Sequence, residues 1–553
     1  MENTKINQNQ SNTISSYYLV LSRVDWRFLL SEQTPKRSLV FADGILADAV
    51  KMISESIVAN CSGPINNECD LAVAVDPDNK TLKQAWSCLQ PGGSIYIEWV
   101  LRPFSGIKSV KRKLEEIGFQ NVTFFMPQPD PADNPSEIWI PMVQNVVSYY
   151  LRGKKYEKKG GNFLNQFKRA ICNVLCLFYP IKPITYFWLM NTNLIRYKVC
   201  SIASKPIVTG VQKISPSYEG ANQKAVTNIP NIVDECLNNL DTDDKSNEVS
   251  VLMLTERGGF EKIILFIFIG NDSFPRFVIK FPRTDEPGSS LEKEARVLTN
   301  LQNGLQPIKC VPNILYNGYK FGIPIIGETF IHGTTISNII TKINFQDLAM
   351  KMTEWLVELA VNTKSQDLQD DYKEQILSSF INSYYSVLTP TLIKQIDDIL
   401  QGVEPKFRVC THNDLGLWNV LINTSDGMLG IIDWDAGQMN GFPLTDFIMF
   451  FMWMSFQIDE AYKFKQYRTS YRNMLDSSTL TGRVYNQCLQ YYTNELDIPS
   501  FDTPAYRLIG LLIQAKHEFP HLVTEKQTLN KTCIGPDKGF YYQLIREELL
   551  ICS

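Results

Sequence analysis

Between residues 410 and 435 the chain reads CTHNDLGLWNVLINTSDGMLGIIDWD. His412, Asp414 and Asn419 fall in the order H-x-D-x-x-x-x-N. An apolar strand after them ends in Asp433, followed by Trp434 and Asp435. Phosphoryl transfer needs a carboxylate that orients an attacking hydroxyl and accepts its proton. It also needs oxygen ligands for the Mg2+ that bridges nucleotide phosphates. A loop with Asp414 and Asn419 on its rim, beside a hairpin strand ending in Asp433, converges three oxygen donors on one point. A hairpin with polar turn residues is the plainer alternative.

Upstream residues fit the same chemistry. Lys280 lies inside the apolar strand RFVIKFP, where a flanked lysine can point into a cleft and hold phosphate oxygens. Fourteen residues later, Glu294 opens a helical turn in EKEARVL and can pair with Lys280. Glu294 is preferred to Glu292 because Ala295, Val297, Leu298 and Leu301 then pack beside it at helical spacing. Gly258 and Gly259 join two strands, and a glycine turn there can lay backbone N–H groups over phosphates. Ordinary hairpin chemistry explains the same pair. Glu328 and Thr329 occupy the position where hinge backbone groups would hydrogen-bond a purine. His332, His517 and His521 read as structural.

Several elements must position these residues. SLVFAD (38–43), DLAVAV (70–75), SIYIEWV (94–100) and NVTFFMP (121–127) read as strands, with helical patterns between them. That alternation predicts a parallel α/β sheet. SVLMLT (250–255), KIILFIFIG (262–270), RFVIKFP and IPIIGETFI (323–331) predict a second sheet, and mainly helical patterns follow from 345. The expected organisation is a disordered tail over 1–16 and an α/β domain over 17–150. A basic and apolar connector with a linker spans 151–224. A sheet lobe over 225–335 and a helical lobe over 336–553 complete it. A sheet lobe followed by a helical lobe is the α+β bilobal layout of protein-kinase-like enzymes.

Composition excludes other classes. The chain has 553 residues with 44% hydrophobic and 20% charged residues, so it is globular, with room for more than one core. Its charge of −4 argues against a basic nucleic-acid binder. Twelve cysteines without a C-x-x-C, and four histidines, make structural zinc improbable and point to reduced thiols in a cytoplasmic setting. The polar N-terminus lacks an apolar signal core. Residues 170–190 are apolar but broken by Pro180, Lys182 and Pro183, too interrupted for a spanning helix. Arg152, Lys154, Lys155, Lys158 and Lys159 precede them. A basic run beside an apolar one over 152–190 suits peripheral contact with an anionic membrane surface. A linker into a buried helical hairpin is the preferred reading.

HNDLGLWN, IIDWD and FVIK together resemble the aminoglycoside phosphotransferase and choline kinase family over roughly 250–450. The resemblance implies that Asp414 is the catalytic base and that Asn419 and Asp433 bind Mg2+. It implies that Lys280 binds the phosphates of ATP or GTP. It also implies that Asp446, in PLTDF, fixes the following helix. A small-molecule kinase acting on a hydroxyl of a sugar-like or amino-alcohol acceptor follows as the expectation. Residues 441–553 carry 12 acidic and 11 basic residues, a balance that argues against polycationic aminoglycosides.

CDLAVAVDPDNKTLKQAWSCLQPGGSIYIEW and KRKLEEIGFQNVTFFMP resemble the later half of a Rossmann-like class I methyltransferase. Only Gly44 and Gly63 precede residue 69, so the glycine turn that brings backbone to S-adenosylmethionine is missing. About 30 residues separate SLVFAD from DLAVAV, fewer than an intervening strand and helices usually need. A truncated docking or scaffold module is expected. The alternatives are a methyltransferase regulated by a kinase-like domain, and a non-catalytic scaffold in glycan or natural-product biosynthesis.

Overall fold

The computed structural model describes residues 20–30, 34–58, 68–101, 106–128, 138–154, 197–206, 230–240, 249–255, 262–283, 290–304, 306–320, 323–366, 372–401, 403, 405–528 and 536–552. They form two compact units. One takes the chain to Pro287 and adds Leu315–Phe330; the other comprises Gly288–Ile314 and Ile331–Ser553.

The strands of the first unit are β1 (Arg37–Phe41), β2 (Ser56–Val58), β3 (Cys69–Val75), β4 (Leu89–Leu101), β5 (Gln120–Gln128) and β6 (Ile138–Pro141). They continue with β7 (Tyr197–Ser204), β8 (Val249–Thr255), β9 (Lys262–Ile269), β10 (Phe277–Pro282), β11 (Ile314–Lys320) and β12 (Ile323–Thr329). All twelve lie in one sheet, in the order β11-β12-β10-β9-β8-β6-β5-β7-β4-β3-β1-β2. β2, β1, β3 and β4 pair in parallel. β7 runs antiparallel between β4 and β5. From β5 through β6 and β8 to β9, β10 and β12, pairing is antiparallel.

Side-chain alternation accounts for two cores on one sheet. Leu71, Val73, Tyr96, Phe125, Trp139, Met253 and Leu265 face one core. Ala72, Ala74, Ile95, Ile97, Phe124, Ile140 and Leu252, their neighbours in sequence, face the other. The period of 2 carries each face from β3 to β9 without a break. The short 3-10 stretch Ser22–Leu29 lies on the first face. Trp26 stacks on Tyr96 with centroids 3.9 Å apart and planes within 2°. Its neighbour Asp25 forms a buried ion pair with Arg283, just beyond β10, at 3.0 Å. Arg27 donates to the Arg283 carbonyl at 2.8 Å. One eight-residue segment thus ties β4 to the end of β10.

This arrangement differs from the boundaries expected from sequence. The α/β segment 17–150 and the sheet segment of 225–335 share one sheet, joined where Ile138 and Trp139 of β6 face Leu254 and Met253 of β8. YKVCSIAS, assigned to the connector, is β7, an interior strand paired with β4 over eight residues. Strand order across a sheet is set by pairing, which sequence order does not reveal. The stretch between SLVFAD and DLAVAV holds a helix, Gly44–Ile53, and the short strand β2. That is more structure than its length led us to expect. Most of the connector, and with it most of 152–190, lies outside the described residues. Among the described residues no helix is long and apolar enough to cross a membrane, and all eight described cysteines are free.

The second unit is mainly helical. The helix Thr445–Ile458, TDFIMFFMWMSFQI, is buried almost all round, as expected for a helix apolar on every face. Packed with it are the helices Phe345–Thr363, Leu480–Leu496 and Thr503–Thr528. Two small sheets are set into this bundle. β13 (Thr334–Thr335), β15 (Val420–Ile422) and β16 (Leu429–Ile431) form one. β14 (Val409–Thr411) and β17 (Gln438–Gly441) form the other.

Candidate active site

The β15–β16 hairpin brings the chemistry together. Its turn, Asn423–Met428, closes with the Asn423 N–H donating to the Met428 carbonyl at 2.9 Å. The Asn423 side chain accepts from the Ser425 N–H and the Asp426 side chain from the Met428 N–H, the local bonds that favour Asn and Asp in turns. Gly427 has φ +71°, open to glycine at little cost. The register Val420↔Ile431 places Asn419 opposite Ile432, whose N–H donates to the Asn419 carbonyl at 3.0 Å. Asn419 and Asp433 therefore emerge at the same end of the hairpin.

Asn419 also holds Asp414. Its Nδ2 lies 2.9 Å from the Asp414 carbonyl and 3.0 Å from Asp414 Oδ2. Burial pushes the Asp414 carboxyl up to about 6, with His412 opposing and Asp433 and Asp435 reinforcing the rise. Two carboxylates next to a buried third disfavour its ionisation. The Asp414 N–H donates to His412 Nδ1 at 3.3 Å, and His412 Nε2 sits 2.9 Å from the Ile432 carbonyl. Trp434 packs against the imidazole with centroids 4.7 Å apart.

The loop is clamped from behind. Asp446, in the first turn of Thr445–Ile458, accepts the N–H of His412 at 2.6 Å and of Asn413 at 2.9 Å. The resemblance implied that Asp446 fixes its own helix; its carboxylate holds the preceding loop. Asn413 has φ +62°, a left-handed conformation that asparagine tolerates better than most residues. Its Nδ2 donates to the Ala436 carbonyl at 3.1 Å, and its own carbonyl accepts from Gln514 Nε2. Gln514 comes from the helix Thr503–Thr528, one hundred residues downstream, and no local motif marks it.

Trp418 is a further residue the motif did not single out. A Cβ on Gly416 would meet the Trp418 ring at 2.3 Å, so only glycine lets the indole fold over the loop. In that position the indole lies beside the Asp414 side chain and favours its ionised form.

The remaining candidates divide between the units. In the first, Lys280 and Val278 share one face of β10. Glu328 stands opposite Val278, on that same face and diagonal to Lys280. Lys280 Nζ lies 2.6 Å from Glu328 Oε1, and both side chains are buried. Thr329 pairs with Phe277 in the same ladder. In the second unit, buried Glu294 accepts the Trp434 N–H at 3.1 Å, which attaches its helix to the segment after Asp433. Lys280 lies in the first unit and Glu294 in the second. Gly258 and Gly259 lie outside the described residues. Among those described, no group of three or more His, Cys, Asp or Glu is arranged to hold a metal by itself. Mg2+ needs less, because it takes one or two carboxylates and completes its shell with water and phosphate oxygens.

Curated proteins gave no match. Among solved structures, a thermostable mutant of aminoglycoside phosphotransferase APH(4)-Ia is similar at 14% identity, covering 55% of this chain and 96% of that one, with TM-score 0.38. Aminoglycoside phosphotransferase APH(3'')-Id from Streptomyces rimosus is similar at 13% identity, covering 47% and 90%, with TM-score 0.31. Residues 266–474, the segment that carries Lys280, Glu294, Asp414, Asn419 and Asp433, match the phosphotransferase enzyme family.

Proposed function

We propose that the chain transfers the γ-phosphate of ATP or GTP to a hydroxyl of a small molecule. One observation carries the reading. Asp414 is a buried carboxylate, held by Asn419, with its pKa raised to about 6 beside Asp433 and Asp435. A general base works best when its pKa lies near the operating pH. Asp414 accepts the acceptor's O–H proton as the new O–P bond forms. The bond from the γ-phosphorus to the nucleoside diphosphate breaks, and the diphosphate takes its electron pair. Asn419 fixes the Asp414 carboxylate and leaves its own Oδ1 as an oxygen donor.

The donor set suits Mg2+. Asn419 Oδ1 and Asp433 would hold it, and the convergence of Asp414, Asp433 and Asp435 is a concentration of negative charge that a cation relieves. Bound there, Mg2+ would supply positive charge that offsets the charge developing on the transferred phosphate. Lys280 supplies a buried cation for phosphate oxygens.

For the segment 37–204 we infer a methyltransferase-like sheet that serves as scaffold rather than a methyl-transfer site. The parallel run β2-β1-β3-β4 followed by antiparallel β7 supports it, together with continuity of the sheet into β10.

The test is thermal shift with ATP and GTP, with and without Mg2+, on wild type and Asp433→Ala. A metal-dependent shift lost in the variant supports phosphotransfer. No shift with either nucleotide overturns it.

A further inference from the structure

The strand that leads into the His412–Asp414 loop starts beside a buried guanidinium that phosphoryl transfer does not use. Arg408 immediately precedes β14. Its N–H donates to the Ser365 carbonyl at 2.8 Å, and its carbonyl accepts from the Ser365 N–H at 2.9 Å. The residue is 3% exposed. Its Cζ lies 3.8 Å from the centroid of the Phe442 ring and 5.6 Å from that of Tyr372. Phe442 gathers the group: Tyr372 stacks on it at 5.3 Å, and Tyr506 meets it edge to face at 6.4 Å. Stacking takes up the face of the guanidinium and leaves its edge, where all its N–H donors lie. Among the described residues, Nε and Nη1 have no hydrogen-bond partner. Buried donors are nearly always paired, and leaving a charged one alone costs more than leaving a neutral one.

The elements around this edge add further donors. Tyr372 is the first residue of the helix Tyr372–Tyr384. The first-turn N–H groups of a helix have no partner within it, and its dipole favours negative charge there. The Tyr372 hydroxyl accepts from Gln438 Nε2, so its own O–H stays free to donate. Two described carboxylates lie in the neighbourhood. Glu374 acts on the charge of Arg408 through space but is exposed. Asp502 lies beside Tyr506 and Lys406. Neither reaches Nε or Nη1. Asp367, Asp370 and Asp371 precede Tyr372 in sequence and lie outside the described residues.

We infer that Arg408, the Tyr372 hydroxyl and the N-terminal turn of the helix Tyr372–Tyr384 form a binding site for a small oxyanion, phosphate or carboxylate. A planar guanidinium meets two oxygens of one anion at once, a match that a spherical halide does not offer. With Arg408 only 3% exposed, the site admits a small anion and no larger ligand. Bound there, the anion ties the strand leading to His412 to a helix from an earlier part of the chain. Lys280, the cation assigned to nucleotide phosphates, takes no part in it. The inference stands apart from the phosphotransferase reading and does not rest on it.

The experiment uses the full-length protein in chloride buffer, without nucleotide or Mg2+, and follows melting temperature as inorganic phosphate or acetate is added. A saturable rise is expected with at least one of the two and none with added chloride; which probe acts tells phosphate from carboxylate. Phosphate also stabilises proteins by exclusion from their surface, so the variants carry the comparison. Arg408→Met keeps the length and removes the charge. It is expected to lose the saturable rise and, with the unpaired charge gone, to melt no lower than wild type in chloride. Arg408→Lys keeps the charge without the fork, and its apparent Kd is expected to increase about tenfold. Lys280→Met is expected to keep the rise. No saturable rise in wild type, an undiminished rise in Arg408→Met, or its loss in Lys280→Met would overturn the inference. So would a fall in melting temperature shared by Arg408→Met and a variant combining Asp367→Asn, Asp370→Asn and Asp371→Asn, which would give the guanidinium to the chain's own carboxylates.

Discussion

Lys280 Nζ and Glu328 Oε1 stand 2.6 Å apart on one face of the β10–β12 ladder, both side chains buried. Removing one partner of a buried pair takes away part of the compensation for the other charge, which typically costs about 3–5 kcal/mol. Glu328→Ala is expected to lose about that much in urea denaturation. Lys280→Met with Glu328→Leu is expected to lose much less than the two single changes summed, because the two changes remove one shared interaction. Additive losses would show that the pair is not coupled.

The raised carboxyl of Asp414 makes two opposite demands on pH. Catalysis needs the ionised form, so turnover is expected to rise with pH through about 6. Stability moves the other way. With the folded pKa above the unfolded value, the folded state binds more protons between about pH 4 and pH 6. The stability from this group is present below about pH 4 and lost as pH rises through about 6. Asp414→Asn is therefore expected to abolish turnover and yet raise stability at pH 8, by on the order of 3 kcal/mol. At pH 4 the gain vanishes. Thermal melts at both pH values decide it.

Gln514 holds the Asn413 carbonyl across one hundred residues of sequence. Gln514→Leu keeps the size but removes the donor. Turnover is expected to fall about tenfold while the nucleotide-dependent thermal shift persists, because the loop and not the phosphate site loses its support. Loss of the shift along with turnover would point to general unfolding.

Asn413 sits at φ +62°. Asn413→Ala keeps a Cβ in the left-handed region, where alanine costs roughly 1–2 kcal/mol without the polar side chain that eases it, and also deletes the bond to Ala436. Asn413→Gly deletes the bond but relieves the backbone. Glycine is expected to be the milder change in melting temperature, and the reverse order would argue that the side-chain bond dominates.

Asp25 and Arg283 join the N-terminal segment to the end of β10. Asp25→Ala leaves a buried guanidinium with less compensation, and a loss of about 3–5 kcal/mol is expected. Since β3 through β12 share one sheet, the loss should appear as a single cooperative transition of the first unit. Separate melting of the α/β segment would contradict that.

The candidate hairpin was legible because its contacts are local. His412 through Asp433 spans one turn and two strands, and hairpin register alone places Asn419 beside Ile432. The strands SVLMLT, KIILFIFIG and RFVIKFP were legible from apolar runs, and Glu294 from the helical spacing behind it. Asp446 was visible as a motif member, but the object it holds was not.

Sequence by itself determined which residue types stand in the candidate site and the secondary structure on which they stand. Spacing fixes which side chains share a turn, and alternation fixes which share a face. Tertiary structure decided what no spacing encodes. It placed β7 between β4 and β5, merged two expected domains into one sheet, paired Lys280 with Glu328, and brought Gln514 to the Asn413 carbonyl. Each of these joins residues far apart in the chain. Backbone hydrogen bonds and apolar faces can be satisfied by many partners, and only the packed whole selects one.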